Sequence, residues 1–366
     1  MEMIGNISKI IKKTVSCNKS RADLIASFIV SLIKVRTVNL TQIASGVPGK
    51  AKDDSKYRRL KRFFEKFEVC YRSIANLIVA MIDLPEGGWE ISIDRTNWKL
   101  GEKNINPLVM GIVRSGIAFP IRWTTFSKRG NSNTEERIRL IDWFARIFGK
   151  NKIKCLYADR EFVGEEWLGY LLKNKIHFCI RIRENFPASN SRGRQVPVKS
   201  LFGDMKPCEQ RVLEGKRLVN GIRLHVAGMM LPDGKLLILV TDEDPDLAVE
   251  NYKKRWGIET LFQCLKKRGF NIEDTRMTFP ERIDKLIALL AVAFAWCHVT
   301  GEWRHERRKI KTKKHGRKEI SLFRYGLDFL RRLLLNFHEN RREFQSIVEE
   351  TLERRLSRNF NPEPCR

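Results

Sequence analysis

The sequence predicts an α/β protein, a mixed-sheet core interrupted by a β-rich insertion and flanked by helical N- and C-terminal regions. Three observations predict it. Between residues 85 and 183, short runs with a period of two alternate with stretches of helical period. Residues 184–244 carry two hairpin signals. Residues 1–80 have a helical period throughout. The expected organisation is a helical N-terminal region (1–80), a mixed-sheet core (85–183 plus 245–300), a β-rich insertion (184–244) and a basic helical C-terminal region (301–366).

In order, Leu24, Ile25, Phe28, Ile29, Leu32 and Ile33 form the apolar stripe of one helix. Asn39-Leu40-Thr41 opens a second, which Gly46 and Pro48-Gly49 break. A third begins near Asp53 and sets Arg58, Arg59, Lys61 and Arg62 beside Leu60, Phe63, Phe64 and Phe67, cations suited to reach DNA phosphates. Pro85 and Gly87-Gly88 end this region. Trp89, Ile91 and Ile93 then alternate with Glu90, Ser92 and Asp94 as a strand. Leu108 to Val113 and Ile117 to Trp123 make two more, joined at Arg114-Ser115-Gly116. A helix (Thr134 to Phe148), a strand (Ile153 to Tyr157), a helix (Glu165 to Leu172) and a strand (His177 to Ile182) follow. Three strands and then a helix-strand-helix-strand unit is the element order of a ribonuclease-H-like mixed sheet. Val219-Asn220-Gly221-Ile222 and Pro232-Asp233-Gly234 mark hairpins in the insertion. Asp244, with Pro245 behind it, caps a long helix that runs to Gly269.

That helix concentrates the chemistry. At roughly 100° per residue, Tyr252, Arg255, Glu259 and Lys266 share one stripe, so one acid is flanked by two cations and a phenol. Trp256, inside this stretch, reads as packing rather than base stacking. Two further acids, Asp94 and Asp159, end predicted strands, where sites are commonly assembled. Three carboxylates brought together resist ionisation unless a cation neutralises them. Their hard oxygens select Mg²⁺ or Mn²⁺, and two such ions can activate water and stabilise a leaving oxygen in phosphodiester cleavage. Arg255 is expected to clamp a phosphate through two parallel hydrogen bonds, with Lys266 as a point charge.

Lysine and arginine number 70 against 43 acids, a formal net charge of +27, which points to a polyanionic partner and above all nucleic acid. Eight scattered cysteines without a C-x-x-C pair suggest neither a disulfide framework nor a zinc knuckle, and fit a reducing cytoplasm. The longest apolar run, Leu286 to Cys297, falls short of the roughly 20 residues that span a bilayer and reads as a buried helix, so no membrane partner is expected. His298, His305 and His315 are too irregularly spaced for a zinc site. The basic run from Arg304 through Lys318 is expected to contact target DNA.

With these residues in place, the chain resembles the bacterial DDE transposases of insertion sequences, specifically the cut-and-paste branch with the Tyr-x2-Arg-x3-Glu-x6-Lys signature (the insertion-sequence-four family). The signature positions are Tyr252, Arg255, Glu259 and Lys266, and Ala158-Asp159-Arg160-Glu161-Phe162 supplies the second acid's context. Asn39-Leu40 to Phe64 resembles the family's end-binding segment, and Lys314-His315-Gly316-Arg317-Lys318 with Ser321-Leu322 its C-terminal part. The resemblance implies that Asp94, Asp159 and Glu259 bind two Mg²⁺ or Mn²⁺ ions on a ribonuclease-H-like core. It implies that Tyr252, Arg255 and Lys266 engage the phosphate near the transposon's terminal nucleotide. The reaction would be hydrolysis at each inverted-repeat end, then attack of the freed 3′-hydroxyl on target DNA. The protein would act as a homodimer, in the bacterial cytoplasm with the nucleoid. Several members form a hairpin intermediate in which a Trp of the insertion stacks on a flipped base, and the only Trp in that neighbourhood here is Trp167, ahead of the hairpins. The competing readings are a non-catalytic repressor derived from such an enzyme and a structure-selective nuclease.

Overall fold

Five helices open the chain in the computed structural model, which describes residues 2–15, 17–100, 103–128, 130–314 and 316–359. They are α1 (Glu2–Thr14), α2 (Lys19–Val35), α3 (Leu40–Gly46), α4 (Asp53–Lys66) and α5 (Tyr71–Ile82). Asn18 and Asn39 begin α2 and α3 by accepting from free backbone N–H groups of the first turn. All six apolar residues expected on one stripe of α2 are buried. His315 and Cys365 lie outside the described residues, as do residues 360–366 of the basic C-terminal region.

The core elements follow in order: β1 (Trp89–Arg95), β2 (Trp98–Leu100), β3 (Lys103–Arg114), β4 (Ile117–Phe126), α6 (Thr134–Phe148), β5 (Ile153–Ala158), α7 (Glu165–Lys173) and β6 (Phe178–Ile182). The short β2, which pairs with the start of β3, has no counterpart among the three strands expected from the sequence. Next come β7 (Pro187–Ser189), β8 (Gln195–Pro197), β9 (Gln210–Val212), β10 (Arg217–Val219), β11 (Ile222–Met230) and β12 (Leu236–Thr241). Asn220 and Gly221 turn β10 into β11 at φ 47° and 83°, the left-handed geometry of a tight hairpin. The described strands form one mixed sheet. In it β3 lies antiparallel between β4 and β1, β1 is parallel to β5 and β5 to β6, and β12 joins β6 antiparallel. The strands after β6 therefore extend the core sheet instead of folding apart from it.

Helices cover both faces. Phe144 of α6 meets Trp89 of β1 edge-to-face at 6.0 Å on one side. The other side carries α8 (Ala248–Tyr252), and along the chain α9 (Trp256–Leu265), α10 (Pro280–Arg307), α11 (Leu322–Leu335), α12 (Arg341–Val348) and α13 (Arg354–Asn359) follow. By length and composition α10 passes for a membrane span, but 89% of its apolar window is buried inside the protein, which makes it the central core helix. It crosses α11 at backbone contact. A Cβ on Gly326 would sit 1.8 Å from the Cys297 carbonyl oxygen, and one on Gly301 1.9 Å from that of Leu322, so only glycine fits either position. The N-terminal helices share this core, with Lys285 donating to the Phe64 carbonyl and Thr37 to Asp274. Cys17, Cys155, Cys179, Cys208, Cys264 and Cys297 are free thiols.

Candidate active site

The register of β1 on β5 brings two of the acids together. Ser92 pairs with Tyr157 and Ile93 with Ala158, so Asp94 and Asp159 follow side by side at the carboxyl ends of parallel strands. Pleating puts Glu90, Ser92 and Asp94 on one face with Tyr157 and Asp159. The two loops are tied by the residues next door: Arg95 holds the Glu161 carboxylate with two hydrogen bonds, of 3.1 and 2.9 Å, and reaches Asn131 at 3.0 Å. Arg137 donates to the Glu161 carbonyl from beneath. Arg95 and Glu161 were legible only as neighbours of the acids, and their mutual clamp appears with the sheet register.

The third acid arrives on a broken helix. Ala248, Val249 and Tyr252 bury α8 against Cys155, Tyr157, Cys179 and Leu239 of the sheet. The chain then tightens into a 3₁₀ turn, Lys253–Arg255, before α9 starts. Lys254 anchors that turn to the sheet through Glu90 at 2.7 Å, and the Tyr157 hydroxyl donates to the same carboxylate. Burial works to raise the pKa of Glu90, but these hydrogen bonds and the Lys254 charge outweigh it and hold the group below its ordinary value. Gly257 brings α9 against the start of β4, where a Cβ would stand 3.0 Å from the Ile117 carbonyl carbon.

Arg255 is the hub. Its guanidinium lies 2.9 Å from Asp94, 3.6 Å from Asp159 and 2.6 Å from Glu259, and the residue is only 6% exposed. One cation thus gathers acids from β1, the loop after β5, and α9. Burial disfavours its charge, yet Asp94, Tyr252, Asp159 and Glu259 raise its pKa above the ordinary value. Burial pushes the Asp94 carboxyl up to about 6, with Arg255 opposing. The expected phosphate clamp is therefore engaged by the three carboxylates.

The single stripe of the sequence reading needs correction. The helix ends at Leu265, and Lys266 has left it with φ −80° and ψ −138°. Its ammonium pairs with Glu273 at 3.8 Å instead of joining the Arg255 cluster. Tyr252 does stand by the cluster, but it is 4% exposed, and its hydroxyl is buried with no hydrogen-bond partner. Trp256 is corrected too: at 59% exposed it is not packed but stands open to solvent at the start of α9. Trp167 is fully buried, stacked on Tyr170. Arg58, Arg59 and Arg62 all stand exposed on α4, Arg59 leaning on Ser20. The basic run divides, since α10 continues to Arg307 and, among the described residues beyond it, Thr312 bridges to Lys318 outside any helix.

The three carboxylates offer hard oxygen donors, and Asp159 Oδ1 is buried without a partner, which fits Mg²⁺ or Mn²⁺. Among the described residues, no group of three or more His, Cys, Asp or Glu side chains is already gathered tightly enough to hold an ion. The acids are spaced by the guanidinium between them, so an ion would take over contacts that Arg255 makes.

A search of curated proteins returns no match. A cryo-EM structure of a piggyBac transposase synaptic complex with hairpin DNA aligns over 96% of this chain and 83% of that one, at 14% identity and a TM-score of 0.49. Residues 86–296, which hold β1 through most of α10 and all three acids, match the family described as transposase DDE domain, and the chain belongs to that family of DDE transposases.

Proposed function

We propose that this transposase acts in the cut-and-paste mode of the Tyr-Arg-Glu-Lys branch of insertion-sequence enzymes. In this reading it binds the terminal inverted repeats, hydrolyses the ends and joins the 3′ ends to target DNA as a homodimer. Its core, 85–183 plus 245–300, is read as ribonuclease-H-like, a reading supported by the order β4-β3-β1-β5-β6 with its antiparallel and then parallel pairs. Residues 1–80, 184–244 and 301–366 are then the end-binding region, the insertion and the basic C-terminal region. The observation that carries the proposal is the convergence of Asp94, Asp159 and Glu259 on one guanidinium.

Asp94, Asp159 and Glu259 would hold two Mg²⁺ or Mn²⁺ ions, which supply Lewis-acid stabilisation of phosphate oxygens and an activated water. The protein's own share is placement. The Arg95–Glu161 clamp fixes the two strand-end loops, and Lys254 fixes the turn that aims Arg255 and Glu259. Tyr252 and Arg255 are assigned to the phosphate at the DNA end, Lys266 to a phosphate further along, and Trp256 offers an exposed ring beside the reacting strand. The net charge of +27 supports a DNA partner.

The test uses full-length protein, Mg²⁺ and a duplex carrying the terminal repeats that flank the gene. Strand breaks at the repeat boundary that disappear with EDTA are expected. Binding without breaks would favour a passive repressor, and equal breakage of random duplex a structure-selective nuclease. Lys254→Met provides a check on placement. Freed from Glu90, the turn should drift, and cleavage should fall about tenfold, within the range that a small misplacement of reacting groups costs. Affinity for end DNA should stay within about twofold, because Lys254 points at the sheet.

A further inference from the structure

A second cleft opens where α3 and α4 face the segment that leads into α10. It is an open cleft with a cavity volume of about 160 Å³. Its walls are fixed to each other: Thr37 donates to Asp274 at 2.7 Å, Lys285 to the Phe64 carbonyl at 2.9 Å, and Arg282 pairs with Glu65 at 3.5 Å. Lys61, Arg276 and Arg282 line it, with no carboxylate among the described lining residues.

Two aromatic rings are left open there. Tyr57 on α4 is 37% exposed and Phe279, just before α10, 52%. The Arg282 guanidinium lies 4.7 Å from the centre of the Phe279 ring, and Lys103 approaches the same ring at 5.6 Å. Exposed rings interleaved with cations form the stacking surface that single-stranded nucleic acid uses, because every base has a π-face and every nucleotide a charge. Paired bases keep their faces inside the duplex, so cations alone would serve a duplex and the rings would be idle. The cleft also lies on the sheet end that carries the acids. Val109 of β3 is the partner of Asp94, and Lys103 is six residues away on the same strand, roughly 20 Å at ~3.4 Å per residue.

We propose that this cleft binds an unpaired nucleotide of a DNA strand, its base against Phe279 and Tyr57 and its phosphate on Lys61 and Arg276. The proposal rests on DNA being the partner and adds a site distinct from the carboxylates. It gives the enzyme a hold on a strand that has left the duplex near a cleaved end.

The experiment is fluorescence anisotropy with full-length protein and two labelled probes, an oligothymidylate and a mixed-sequence duplex of equal length. In the Tyr57→Ala/Phe279→Ala variant, affinity for the single strand should fall about 5- to 100-fold, the range for losing one base stack, with duplex affinity within about twofold. Both rings are exposed, so the thermal midpoint should match wild type. Lys61→Ala/Arg276→Ala should weaken both probes and reduce the salt dependence by about two charges. Unchanged single-strand affinity in the aromatic variant, or an equal loss for both probes, overturns the cleft as a base reader while leaving the DNA partner intact. A wild-type chain that binds neither probe overturns both.

Discussion

Exchanging Asp94 or Asp159 for Asn, or Glu259 for Gln, should lower end cleavage on the order of a thousandfold or more, the scale for deleting a group that stabilises developing charge. Each change keeps the size of the side chain and removes the anionic oxygen that a hard cation requires. Affinity for end DNA should stay within about twofold, because the exposed cations of α4 and the basic run are untouched. Thermal midpoints should move little, since Arg255 keeps two of its three carboxylates in every variant. The measurement pairs a denaturing-gel cleavage assay with a binding titration on the same preparations. Cleavage surviving in all three variants would show that the convergence on Arg255 is structural and that the chemistry lies elsewhere. Loss of binding along with cleavage would point to a folding defect, which the midpoint would reveal.

How much of this was legible beforehand depended on whether a feature was local. Helix α6 has the bounds read from the sequence because Asn133 and Glu136 close a capping box at one end and Gly149 stops it at the other. The Asn220-Gly221 hairpin was legible because that pair accepts left-handed geometry. Both are settled within a few residues. Asp94, Asp159 and Glu259 were read as partners from strand-end position, element order and the cations around Glu259, and the resemblance agreed; periodicity alone places each on an element but does not say which elements touch. The stripe failed where tertiary contacts override period. Lys254 and Arg255 are drawn to Glu90 and the acids, which tightens the turn between α8 and α9. The chain then doubles back at Gly269, where a Cβ would meet the Cys264 carbonyl oxygen at 2.1 Å, and this takes Lys266 off the helix. Trp256 was misread by residue type: tryptophan usually packs, but α9 turns this position outward while Ile258, Leu261 and Leu265 face the core. The Arg95–Glu161 and Lys254–Glu90 pairs span 66 and 164 residues of sequence, and no motif announces them.

The same geometry makes Arg255 the residue whose loss should be felt most widely. In metal-free buffer, Arg255→Ala leaves three carboxylates facing one another, with buried Asp94 stripped of its charged partner and keeping the Arg95 backbone N–H. Breaking a buried ion pair from one side costs about 3–5 kcal/mol. Glu259 and Asp159 retain side-chain exposures of 36% and 27%, so solvent screens part of the repulsion and the lower end of that range applies. The thermal midpoint of the variant in EDTA should therefore fall by several degrees below wild type. Millimolar Mg²⁺ should raise it by more than it raises wild type, because an ion entering the wild-type cluster has to take contacts away from the guanidinium. Cleavage should nonetheless be lost in the variant even when Mg²⁺ restores its stability, if the displaced fork is what grips the phosphate. Arg255→Lys separates these two roles: a lysine restores one positive charge but cannot span three acceptors or bind a phosphate with two parallel bonds, so it should recover part of the EDTA midpoint and little of the cleavage. An Arg255→Ala protein as stable as wild type in EDTA would mean that the guanidinium does not hold the acids together. Equal Mg²⁺ responses in the two proteins would mean that ion and guanidinium do not compete for the same oxygens.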